Sequence, residues 1–465
     1  MTSQRAKSIF GWLIGSLLLC YAAFYNGYAL VYPDTGTYLY SGFQGNVPID
    51  RPLAYGLFVR HSSLSTSLWF SVIAQGMLLG SLIFLFIKYL MPSRQHPLWS
   101  VAIITGLVLF SGVSTRTSQM MPDIFASMPA LGLALLLFGN AVPLGTRIYL
   151  ATITVLSLMM HSSHPMIYGL TMGLLSVVWG IQWVRTRQLP LSWRNWGLAW
   201  GLVILAWLAI PTLHVLYGGA FKANRASHIF MMGQLNSMGL LGHYLKRHCD
   251  DEDYFLCPYQ DALPLDYLWN PQSPIYKTGG WEAQDPAVYQ HLIRDILTEP
   301  RYFKLFVIKV FMGTFHQFFH FHTANTPPQH SKSLAYQAID GYFPYEVYAL
   351  ILARQWEAAN LTYESLNVRE RMLMFACLLG VVALMLQPGW VRQVPTPLVW
   401  TLVVIMVMLL VNAAICGGLS NGNMRYQNRV AWTLPLIMSL IVLSQRHRVV
   451  RWWAGLSRPA DTGDH

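Results

Sequence analysis

The sequence predicts an all-α polytopic membrane protein of about ten transmembrane helices with a long extracytoplasmic segment. Three observations carry this. The chain is 54% hydrophobic and only 11% charged, and its mean hydropathy is positive, an unusual balance for a soluble protein of 465 residues. Apolar runs of bilayer-spanning length recur along it. Basic and acidic residues then separate onto opposite ends of those runs.

The runs fall at 8–31, 65–90, 98–113, 122–140, 148–162, 165–184, 195–217, 372–388, 397–416 and 430–445. The first follows Arg5 and Lys7 and continues without a small-residue cleavage site, so it reads as a retained anchor, not a cleaved signal peptide. Residues 1–217 therefore form an N-terminal transmembrane module whose loops are short except for a long outer loop at 32–64. Residues 218–371 are too rich in Pro, Asp and His to span a membrane as a whole. Within them the aromatic run 302–321 carries Lys304, Lys309, His316 and His320, which predicts an interfacial helix on the outer leaflet. An eleventh span there would invert everything after it and misplace Arg392. Residues 372–445 supply the last helices, and 446–465 form a basic tail.

Orientation follows from basic residues in short loops. Arg5, Lys7, Lys88, Arg94, Arg147, Arg185, Arg187, Arg194, Arg392, Arg446, Arg448, Arg451 and Arg458 all fall on one side when ten helices are threaded. That side is expected to be the cytoplasm, with both termini in it, which fits a multi-pass protein of a bacterial inner membrane. Apart from Asp461 and Asp464, every Asp and Glu falls in segments placed outside. The net charge of +11 collects at the cytoplasmic rims, where it meets anionic headgroups and gives no indication of nucleic acid.

Cys20, Cys377 and Cys416 lie within or at the ends of apolar runs and read as buried small hydrophobes. Cys249 and Cys257, in "KRHCDDEDYFLCPYQD", lie in the outer segment, where an oxidising compartment favours a disulfide. The acidic run 250–253 reads as a solvated loop. His161 and His164 occupy an outer turn, and the pair His316 and His320 has no neighbouring carboxylate, so no metal site is assigned.

Several outer residues carry chemistry. Asp34, in "YPDTGTYLY", lies at interface depth, where a carboxylate is costly unless paired or used; its alternative is a helix cap before Thr35. Arg51, in "NVPIDRPLAYGLFVR" between Pro48 and Pro52, presents a guanidinium suited to a phosphate, or else a solvated turn. Asp50 beside it reads as a turn acid of little consequence. Arg116 and Asp123 share "STRTSQMMPDIFASMPALGLALLLF", where Pro-Asp is also an ordinary helix start. Arg425 and Arg429, in "SNGNMRYQNRVAWTLPLI", share one face if a helix already begins there.

This order resembles the polytopic glycosyltransferases called GT-C, and among them the bacterial enzymes that use polyprenyl-phosphate sugars, such as aminoarabinose transferases and protein mannosyltransferase relatives. In that family an Asp in the first outer loop is followed by a Lys- or Arg-Pro element before the second helix, matched here by Asp34 and the Arg51–Pro52 step of "RPLAYGLF". An Arg-Tyr near a late helix start matches Arg425 and Tyr426. The likeness covers chiefly residues 8–185, and it departs where the family often has an acidic pair: Asp34 is followed by Thr35. The outer stretches "LNSMGLLGHYLKRHC", "FLCPYQDALP" and "YLWNPQSP" resemble uncharacterised bacterial membrane proteins and name no reaction.

The resemblance implies a GT-C-like fold, a polyprenyl-phosphate-linked sugar donor, and an extracytoplasmic acceptor that is a glycan, lipid or protein. It implies no separate cofactor; a divalent metal is compatible with it but not indicated. Asp34 would be the base, with Arg51, Arg116, Arg425 and Tyr426 around the donor phosphate. Asp123 would orient Arg116 or the acceptor, and the outer segment with Tyr254, Trp269 and Trp281 would cap the cavity. Two alternatives stay open: another membrane transferase or ligase, moving an acyl group or a whole glycan through His161 or His164, and a transporter or flippase of lipid-linked sugars.

Overall fold

The computed structural model describes residues 2–445 except 92–94, 188–190, 324–325, 357–360 and 421. The basic tail 446–465 and Arg94 lie outside the described residues. Those residues are helical, with no β-strand among them beyond two isolated bridges.

The N-terminal block comprises α1 (Thr2–Leu19), α2 (Tyr21–Asn26), α3 (Thr35–Gln44), α4 (Ala54–Ser62), α5 (Leu68–Leu90), α6 (His96–Phe110), α7 (Val113–Ser118), α8 (Met128–Phe138), α9 (Leu144–Met159), α10 (Ser163–Thr186) and α11 (Trp193–Leu216). The middle block holds α12 (Ser227–Ser237), α13 (Leu240–His248), α14 (Pro274–Lys277), α15 (Pro286–Thr298), α16 (Pro300–Phe318), α17 (Leu334–Tyr342) and α18 (Val347–Leu352). The chain closes with α19 (Glu364–Leu386), α20 (Pro388–Val391), α21 (Thr396–Ala413), α22 (Met424–Ala431) and α23 (Thr433–Ser444).

Among the described residues, four segments are long and apolar enough to cross a membrane: Leu68–Leu90, Ser163–Thr186, Trp193–Leu216 and Thr396–Gly418. His96–Phe110, Pro122–Phe138 and Leu144–Met159 are apolar but shorter. The breaks in the apolar runs have local causes. The first run stops being helical at Gly27, whose φ of +85° closes α2 in the left-handed conformation that glycine takes without steric penalty. The last helix begins well before its apolar run, at Met424 behind an Asn423 cap, and turns at Trp432. There Pro435 has no N–H to offer the Ala431 carbonyl.

The middle block divides in two. Its first part builds a separate core from Ile229, Met232, Leu241, Leu245, Tyr267, Tyr289 and Ile296, and a Cys249–Cys257 disulfide with a Cα separation of 5.6 Å closes the loop after α13. Its second part, from Phe321 to Ala353, packs into the main helical core. Two side chains hold that part down on the N-terminal block. Glu346 accepts from the Tyr28 hydroxyl at 2.6 Å, the Leu68 amide at 3.1 Å and the Ser67 hydroxyl. Gln355 pairs with both main-chain groups of Val31, at 3.1 and 2.5 Å.

Between the two parts, α16 buries only Tyr302 and Gln317. Phe303, Val307, Ile308, Phe311 and Phe315 stay exposed along it. It is seated on the π-helical turn Ala414–Gly418, where Gly313 meets Gly417 backbone to backbone.

The helices of the loop 32–64 cross just as closely: a Cβ on Gly42 of α3 would overlap the Gly56 carbonyl of α4. Gly42→Ala should therefore destabilise the protein by about 1–3 kcal/mol through overpacking. Gly106→Ala, at a site with open space around it, should be neutral or slightly stabilising. Thermal unfolding in detergent compares the two.

Candidate active site

The loop 32–64 and the segment leading into it are placed by main-chain pairing. Leu30 donates to Ser118 O at 3.0 Å and accepts from Met120 N at 2.8 Å, so the extended segment before Asp34 lies along the segment joining Arg116 to Asp123. Thr35 Oγ1 accepts from Tyr32 N at 2.8 Å and donates to Met120 O at 3.0 Å. Gln75 holds the other edge, donating to Thr117 O at 2.7 Å and Gln119 O at 3.1 Å.

Asp34 occupies the N-cap position of α3 but makes no capping hydrogen bond. Its carboxylate turns instead to Arg51 Nη2 at 3.1 Å and Arg425 Nη2 at 3.7 Å, with a quarter of the side chain exposed. Arg51 is also gripped by Asp50, through Nε at 2.9 Å and Nη2 at 2.5 Å, and its guanidinium lies 5.0 Å from the centre of the Tyr38 ring. This corrects the expectation for Asp50. It is a mostly buried partner that fixes the Arg51 fork.

Asp123 is buried, and it faces Arg425 Nε at 3.6 Å and Arg429 Nη1 at 3.7 Å. The expected pairing of Asp123 with Arg116 is not made. Arg116 donates to Asn428 Oδ1 at 2.8 Å and Gln119 Oε1 at 2.9 Å. Arg425 and Arg429 do share one face of α22, and the Tyr426 ring lies against both, at 5.4 and 5.2 Å from the guanidinium carbons. Tyr32 covers Arg425 from the first loop at 4.3 Å.

The result is an alternating chain of charges, Asp50, Arg51, Asp34, Arg425, Asp123 and Arg429, assembled from the first loop, the turn before α8, and α22. Its two halves differ. Between carboxylate and guanidinium, the Asp50–Arg51–Asp34 half is hydrogen-bonded at 2.5–3.1 Å, whereas the deeper Arg425–Asp123–Arg429 half has charge contacts of 3.6–3.7 Å. Both Asp123 oxygens, Nε and Nη1 of Arg425, Nε of Arg429 and Nη2 of Arg116 are buried without a hydrogen bond. Buried polar groups are normally satisfied by protein, water or a bound molecule, and here those without a protein hydrogen-bond partner gather at one place.

Arg429 also reaches Ser163 Oγ and Asn412 Oδ1, each at 3.4 Å. Ser163 bonds His161 Nδ1 at 2.9 Å, while His164 is fully buried with Nδ1 on Ser157 O. The expected histidine turn therefore borders the charge chain through Ser163. His316 and His320 lie ring to ring at 4.3 Å on and just after α16. Among the described residues no group of three His, Cys, Asp or Glu is placed to hold a metal ion.

An open cleft of about 690 Å³ between α12, α16 and the π-helical turn is lined by Met238, Lys309, Met312, Phe315 and His316 and includes none of the charge chain.

Sequence reasoning missed Glu370 and Asn428. Glu370 was assigned to the outer segment, but α19 begins at Glu364 and carries it into the protein, fully buried. The signal available was an acidic residue only two residues before the long apolar run at 372–388.

No family model, curated protein or solved structure matches this chain.

Removing Asp123 leaves two buried arginines without their nearest counter-charge. Asp123→Leu should cost about 3–5 kcal/mol, and Asp50→Ala, beside a guanidinium that keeps Asp34, about 1–3 kcal/mol. Chemical unfolding in detergent gives both values; an equal and small effect would contradict the proposed difference between the two halves.

Proposed function

We propose that the protein is a membrane glycosyltransferase of GT-C type that moves a sugar from a polyprenyl-phosphate donor to an extracytoplasmic acceptor. The observation that carries this reading is the placement of Asp34, partly exposed between the guanidinium groups of Arg51 and Arg425. A carboxylate at the mouth of a buried arginine cluster supplies a base beside a phosphate site. In this reading the four long and three shorter apolar helices, together with α1, α19 and α23, make about ten spans, with the charge chain at the outer face and both termini in the cytoplasm.

The acceptor hydroxyl gives its proton to Asp34 as its oxygen attacks the anomeric carbon. The bond from that carbon to the phosphate oxygen breaks in the same displacement, so configuration inverts and no sugar is held covalently. Arg51, Arg425 and Arg116 take up the charge that develops on the departing polyprenyl phosphate. The donor phosphate competes for the guanidiniums that Asp34 holds in the free protein, so donor binding frees the carboxylate to act. Asp123, with both oxygens free of hydrogen bonds, accepts from sugar or acceptor hydroxyls. The disulfide-closed unit around Tyr254 and Trp281 covers the site and selects the acceptor.

Asp34→Asn, in a strain lacking the native gene, should lower transfer by at least about 10²-fold and leave the donor unspent. Mass analysis of lipid-linked sugars and surface glycans reads this. A fully active Asp34→Asn with an inactive His161→Ala would instead favour a histidine-centred membrane transferase. If both variants are active, a transporter or flippase of lipid-linked sugars is favoured.

A further inference from the structure

Glu370 is a carboxylate buried in α19 with no cation in ion-pair contact among the described residues. Such a group is costly unless its oxygens are satisfied, and here they are satisfied by one specific set of donors. Oε1 accepts from Gly112 N at 3.0 Å and Asn428 Nδ2 at 2.7 Å, and Oε2 accepts from Thr323 Oγ1 at 3.0 Å.

This set has a directional consequence. Since Glu370 takes the amide nitrogen of Asn428, the amide oxygen must face the other way, and it accepts from Arg116 Nε at 2.8 Å. Gln119 takes Nη1 at 2.9 Å. A guanidinium is planar, with its donors in a fixed fork, so fixing Nε and Nη1 fixes where Nη2 points. Nη2 is the donor of Arg116 that is buried without a hydrogen bond. Gly112 is the residue that opens α7, the helix of Arg116, and Asn428 stands on α22 between Arg425 and Arg429. The carboxylate therefore locks the Arg116 helix to the helix of the other two arginines. A Cβ at Gly112 would press on both Thr323 and Asn428, so the junction admits no slack.

We propose that Glu370 is a positioning residue for the phosphate of a lipid-linked substrate, acting by fixing the Asn428 amide so that Arg116 Nη2 is presented to that phosphate. This rests on the reading of the arginine cluster as a phosphate site.

The test is a titration of the full-length protein in detergent with farnesyl monophosphate, followed by tryptophan fluorescence, on wild type, Arg116→Met, Glu370→Leu, Glu370→Gln and the Arg116→Met/Glu370→Leu pair. Arg116→Met should weaken binding on the order of tenfold, Glu370→Leu should weaken it similarly, and the pair should be no weaker than either. Glu370→Gln keeps an acceptor for Gly112 and Asn428 and should return binding to within about threefold of wild type. Where Glu370→Leu does not fold, Asn428→Ser, too short to reach Arg116, takes its place with the same expected loss. Wild-type affinity in the Glu370→Leu protein alongside a weak Arg116→Met, losses that multiply in the pair, or no rescue by Gln would each overturn the role of Glu370 alone. No binding by wild type, or equal binding by wild type and Arg116→Met, would overturn the phosphate site and Glu370 with it.

Discussion

A guanidinium buried below the surface of a helical bundle needs counter-charge within a few ångströms, and Arg425 finds two carboxylates, Asp34 at 3.7 Å and Asp123 at 3.6 Å. These belong to different parts of the chain: the loop after the first helices and the turn that opens α8. Arg425 itself stands on the first turn of α22, behind the Asn423 cap. One side chain thus ties the first, middle and last elements of the site together. The supporting contacts follow from that need. Tyr32 and Tyr426 flank the guanidinium, Gln317 clamps both main-chain groups of Asn423, and the isolated bridge at Leu30 keeps Asp34 in range.

The two halves of the charge chain differ in how tightly their charges are paired. The Asp50–Arg51–Asp34 half is short and hydrogen-bonded, and it braces the first loop. The Arg425–Asp123–Arg429 half is long, buried and short of hydrogen bonds. A structure that only needed stability would close such contacts or replace them with apolar side chains. Loose pairing of buried charges leaves the donors available to a ligand, as the proposed function requires.

The sequence made the helical class legible because apolar runs and rim charges are local signals. It made single residues legible where chemistry was exposed by context: Asp34 by its depth, and Arg425 and Arg429 by their spacing of four. Partnership was not legible. Asp50 looked like a turn acid because nothing in "PIDRP" tells whether the carboxylate faces water or the neighbouring guanidinium. Arg116 was linked to Asp123 through closeness in sequence, whereas its partner Asn428 lies in the last block of the chain. Glu370 was hidden by the helix start, since α19 begins at Glu364, eight residues before the apolar run at 372, and turns a loop acid into a buried one. The division of the middle block likewise depends on which surface its second half covers, and the Glu346 and Gln355 contacts that settle this are long-range.

The most direct measurement is an experimental structure of the protein with an isoprenyl monophosphate bound in a lipid nanodisc. The phosphate should sit in hydrogen-bonding reach of Arg51 and Arg425, with Arg116 Nη2 directed at it and Asp34 released from at least one of its two arginines. A phosphate bound instead in the Lys309–His316 cleft, with the Asp34–Arg51 and Asp34–Arg425 contacts unchanged, would contradict the assignment of the charge chain as the site of chemistry.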